Sequence, residues 1–209
     1  MDFLDVAFWT LNGFIVLRGA VHWWRDPLRV VRRRLAKVPP KPLGATRDGE
    51  WAHVQGLVLG RPTLTSPLTG RSCIGYRYVI DTGTKGASPL AQAGDCASFV
   101  LEADGFLASV EGPFEIGLDV AVVEHDARIG LRDVLKRARV PIWTEGEYKK
   151  LRAREALLSP DDRVALLGRV SLEVHPQGQR DSFRDQPIRR IIRGTSARPT
   201  LLATDVTPR

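Results

Sequence analysis

Cysteine, methionine and histidine are scarce in this chain: its 209 residues hold two Cys, one Met and four His. Two cysteines, Cys73 and Cys96, exclude a disulfide-stapled scaffold and any four-cysteine zinc site. They stand at opposite ends of a candidate hairpin, so a single disulfide between them is compatible with an oxidising compartment. His22, His53, His125 and His175 are far apart and form no i,i+4 pair, so no metal site is indicated. The sequence also lacks GxGxxG, Walker A, HExxH and GxSxG. Cys73 has no local base to activate it, and Asp161-Asp162 has the character of a turn or cap rather than an acid/base pair. No catalytic residue, cofactor or metal is therefore expected.

What is present first is positive charge. The net charge is +7 and the calculated pI about 9.9. Residues 1–41 carry eight Lys/Arg against three acids, whereas the remaining 168 residues hold 23 basic and 21 acidic side chains. The basicity belongs to an N-terminal arm. Within it, residues 3–24 form the most apolar stretch, 22 residues long and interrupted by Arg18 and His22. About 20 apolar residues cross a bilayer as a helix, and Arg18 lies near enough to the end to snorkel. Trp9, Trp23 and Trp24 suit the membrane interface.

Residues 25–37 predict a basic amphipathic helix. Leu17, Val21, Trp24, Leu28, Val31 and Leu35 recur every three or four residues, with Arg18, Arg25, Arg29, Arg32 and Arg33 opposite. Such a helix lies on an anionic lipid surface; the competing reading is an apolar stripe that pairs two chains in a homo-oligomer. If residues 3–24 span, the basic cluster after them predicts an N-out, C-in orientation. Pro39, Pro40 and Pro42 predict a stiff linker over 39–49.

From residue 50 the pattern is short apolar runs punctuated by Gly and Pro. Strands are expected over 51–59, 73–81, 97–103, 106–110, 119–124, 164–174, 188–193 and 200–203, with Gly56 at a bulge or close approach. Asp104-Gly105 is a hairpin signal, and residues 82–95 suggest a small-residue loop. Residues 129–140 and 147–158 predict two helices. The expected class is α+β and mostly β: a small OB-like barrel or curled antiparallel sheet with two helices, after the helical arm. An OB-like barrel raises nucleic acid as a ligand, but Tyr76, Tyr78 and Phe99 sit in apolar strands expected to be core, so none is expected.

Ser66-Pro67-Leu68-Thr69-Gly70, followed by Cys73, Tyr76 and Tyr78, resembles the SPLTG-x-x-C-x-x-Y-x-Y core of the GIDE or BAM ("beside a membrane") domain. That domain is best known from mitochondrial membrane-anchored E3 ubiquitin ligases and also occurs in bacterial proteins. The strand around Val54–Val58 and the segment SPDDRVALLGRV at 159–170 are similar too, so the resemblance spans most of residues 50–205. The ligases act through a zinc-binding RING that needs eight Cys/His ligands. These 209 residues have two Cys, four His and no CxxC, and no second apolar span follows the domain; ligase activity is not carried over. The resemblance implies a membrane-adjacent, non-catalytic scaffold or binding module at a bacterial inner membrane, its domain cytoplasmic, with an unidentified protein partner. The alternatives are a soluble oligomer and a subunit of a ligase- or hydrolase-type complex.

Overall fold

A computed structural model of the chain describes residues 27–84, 88–124, 127–140, 150–174 and 188–204. Helix α1 (Pro27–Ala36) comes first, followed by a 3-10 turn over Leu43–Ala45. Strands β1 (Trp51–Leu59), β2 (Leu64–Thr65), β3 (Ser72–Cys73), β4 (Gly75–Asp81), β5 (Ala91–Cys96), β6 (Phe99–Ala103), β7 (Phe106–Glu111), β8 (Phe114–Gly117) and β9 (Ala121–Val122) precede α2 (Leu131–Arg137). Strands β10 (Arg152–Leu158), β11 (Arg163–Val174), β12 (Ile188–Arg193) and β13 (Thr200–Thr204) complete the described fold.

Five of these strands close a barrel. β1 pairs with β6, β6 with β7, β7 with β12, β12 with β11, and β11 returns to β1. Every pairing in the ring is antiparallel except β7–β12. A meander of three strands, a crossover, one parallel pair and an antiparallel closure make this a small OB-type barrel, as expected, with curled sheets beside it. Two long excursions leave it, one between β1 and β6, the other between β7 and β11. They meet as a second sheet in the order β5-β4-β10-β9, covered by α2.

The barrel is filled by alternate residues of its strands: Val54 and Val58 from β1, Leu101 from β6, Val110 from β7, Val164 and Leu166 from β11, and Ile192 from β12. Gly56 is required by packing: a Cβ there would sit 2.3 Å from the Glu102 carbonyl oxygen. Asp104 and Gly105, at φ 53° and 77°, turn β6 into β7 as the Asp-Gly pair predicts. β11 is buried on both faces, which explains its unbroken apolar run. Ala165 and Leu167 face outward, where Leu201 and Ala203 of β13 and Val31 and Leu35 of α1 cover them.

Several expectations need correction. Residues 152–158 are strand, not helix: their Ala, Arg, Glu and Leu are good helix formers, but pairing with β4 from Arg152↔Asp81 to Leu158↔Gly75 overrides that preference. The second helix of the described fold is α1 instead. The 82–95 segment is not all loop, because β5 pairs with β4 from Ile80↔Ala91 to Gly75↔Cys96. The strand at 119–124 shrinks to Ala121–Val122. Residues 39–49 are no stiff spacer. Leu43 lies in the barrel core, Pro40 bridges to His53, and the Lys41 ammonium is 2.8 Å from the Glu50 carboxylate.

Candidate functional site

The string that carries the family resemblance falls into two parts with different roles. Ser66–Arg71 forms the turn between β2 and β3, closed by the Gly70 amide donating to the Ser66 carbonyl at 3.0 Å. Gly70 adopts φ 69°, a backbone conformation that favours glycine. The Ser66 hydroxyl oxygen accepts from the Leu68 and Thr69 amides at 3.2 and 3.3 Å, so one side chain organises the turn from within.

Glu155 of β10 receives that turn. It is 6% exposed, and its two carboxylate oxygens divide between two hydroxyls: Ser66 Oγ donates to Oε1 and Thr69 Oγ1 donates to Oε2 at 2.6 Å. A buried carboxylate needs such donors to offset its lost hydration. Leu68 projects the other way into the cluster of Ile80, Leu131, Val134 and Leu135, and its carbonyl accepts from the Gly130 amide at the start of α2. The turn therefore joins the second sheet to α2.

Cys73 and Cys96 are both buried free thiols. Burial pushes the Cys73 thiol up, as does the negative charge of Glu155, while the Ser66 backbone acts in the opposite direction. Cys96 is pushed up to about 12 by burial first, then by Asp95 and Cys73. Both remain protonated at neutral pH, and a thiol is a poor nucleophile in that form. The motif cysteine is a packing residue.

Tyr76 and Tyr78 depart from the expectation that they are core. Alternation along β4 turns them toward α2, where they are half-buried with near-parallel rings 6.3 Å apart, while Arg77 between them is the buried side chain. Arg77 Nη1 donates to the Leu118 carbonyl at 3.0 Å. A cleft opens where α2 ends at Arg137 and leaves the two rings partly uncovered. Phe99 does belong to the barrel core, against Phe114.

Of the residues expected to meet the membrane, Trp9, Arg18, Trp23, Trp24 and Arg25 lie outside the described residues. Arg29 is exposed on α1, and Arg33 donates to its carbonyl. The Arg32 guanidinium pairs with Asp119 of the domain. Arg34 pairs with Glu115 at 2.8 Å. The apolar stripe is likewise engaged at Val31 and Leu35, which the barrel covers. No helix among the described residues is long and apolar enough to cross a membrane; residues 3–24 are not among them.

Asp161-Asp162 is a turn, as expected: Asp161 has φ 67° and the Asp162 carboxylate accepts from the Ser159 amide at 2.7 Å. Among the described residues no cluster of His, Cys, Asp and Glu is arranged to hold a metal. Sequence reasoning missed Glu155, hidden in a segment of helix-forming composition. No family model, curated protein or solved structure matches the chain.

Proposed function

We propose that this protein is a membrane-associated, non-catalytic binding or scaffold module of the GIDE/BAM type. Its apolar N-terminal segment would hold it at a bacterial inner membrane, N-out and C-in, with the barrel in the cytoplasm. The observation that carries the reading is the docking of α1. The helix that follows the apolar segment is packed on the barrel through Val31 and Leu35 and tied through Arg32 and Arg34. A segment inserted ahead of it would hold the domain close to the bilayer rather than on a loose tether. The groups at the motif argue against catalysis there: two buried protonated thiols and a carboxylate already satisfied by Ser66 and Thr69.

Fractionation of cells making the full chain tests this. The protein is expected in the membrane fraction, resistant to carbonate and released by detergent, with the domain protected from protease added to spheroplasts. Recovery in the soluble fraction overturns the membrane reading, and release by salt alone replaces a spanning segment with surface attachment.

A further inference from the structure

We propose that the cleft between Tyr76–Tyr78 and the C-terminal turn of α2 binds a small molecule carrying one anionic group on an apolar body. The inference does not depend on where in the cell the chain resides. The cleft has a volume of about 510 Å³, within the usual range for small-ligand sites.

Its lining divides by chemistry. The polar side chains on its tyrosine face are Tyr76, Tyr78 and Arg137; none of its described lining residues is a carboxylate, and Asp95, opposite Tyr76 in the β4–β5 ladder, acts on that phenol from outside the lining. Each of these groups can donate a hydrogen bond, and Arg137 adds a fixed positive charge. The rest of the lining includes the apolar residues Pro67, Pro89, Leu90 and Val134. Two phenols and a guanidinium set among hydrocarbon fit an amphipathic carboxylate or phosphate ester.

Geometry makes Arg137 decisive. Arg137 and Ala138 place the C-terminal end of α2 in the lining, and a helix C-terminus disfavours anions. Arg137 stands in that last turn, with Nε donating to the Asp133 carbonyl at 3.3 Å, which fixes its stem. Burial pushes both phenols up, Asp95 adds to that push at Tyr76, and the Arg137 charge opposes it at both. Among the described lining residues Arg137 is the one cation.

The test is titration of the full chain with phenyl phosphate and with phenylacetate, followed by calorimetry, with neutral phenylacetamide as the control. Saturable one-to-one binding of an anion is expected, and phenylacetamide should not bind. Arg137→Gln should weaken binding about tenfold or more, the effect of removing a charge-assisted bond. Tyr76→Phe with Tyr78→Phe keeps both rings and should weaken it less, while Lys136→Gln, on the same helix but outside the lining, should leave it unchanged. Circular dichroism of each variant separates loss of binding from loss of fold. The proposal is overturned by three results: neither anion binding at millimolar concentration, phenylacetamide binding equally well, or a folded Arg137→Gln variant binding normally.

Discussion

Ser66 shows how much one small side chain can organise. Its hydroxyl accepts from two amides of its own turn while donating to a carboxylate on a strand 89 residues away. Ser66→Ala leaves Glu155 buried with Thr69 as its remaining hydroxyl donor. The expected cost is about 1–3 kcal/mol, read as a lower urea midpoint with an unchanged slope. Cys96 makes a second prediction at this scale. The unfolded chain releases the thiol proton near pH 8.5, whereas the folded chain holds it to about 12. A group whose pKa is raised by folding stabilises the protein below its unfolded value. Stability should therefore be flat through neutral pH and fall from about pH 9 toward 12. Cys96→Ala should flatten that alkaline slope in urea unfolding followed at several pH values; an equally steep slope in the variant would assign it to other groups, such as Tyr76 and Tyr78.

Among the elements, α1 changes its meaning most. The periodicity of Leu28, Val31 and Leu35 was legible as an amphipathic helix, and the helix is there. Its partner was not legible, because an apolar stripe is equally satisfied by lipid, a second chain or the chain's own sheet. The sheet takes it, and Gly117 of β8 is what lets it approach: a Cβ there would lie 2.8 Å from that of Val31. A chain beginning at Pro27 should thus unfold cooperatively. One beginning at residue 39 bares Ala165, Leu167, Leu201 and Ala203, and should bind a hydrophobic dye and aggregate at temperatures the longer chain survives. Equal melting of the two would show that α1 is an ornament. The same ambiguity hid β10. Composition there favours helix, and only the ladder to β4, 70 residues away and more, makes it a strand. The barrel strands were legible because β-branched alternation and turn residues agree, as in β1 and at Asp104-Gly105. Glu155 was not, since nothing local marks a carboxylate whose donors arrive from another part of the chain.

At the scale of the molecule, an OB-type barrel is the frame, and two excursions from it build a second sheet that carries the cleft. The excursions are joined by β4–β10 pairing and by the Ser66–Thr69 turn, so the motif stands where they interlock. That placement gives the string a structural role, as the turn that holds the second sheet to α2. Helix α1 packs on the barrel face, while the cleft lies on the second sheet.

The β1–β11 ladder, with Trp51 opposite Arg169, has a consequence for how the protein is made. During synthesis β1 emerges more than a hundred residues before its neighbour. The barrel therefore cannot close until almost the whole domain has left the ribosome, and until then the row of Ala52, Val54 and Val58 is an open seam. A nascent chain interrupted before residue 163 is a barrel missing two of its five staves, and quality control should recognise it as such.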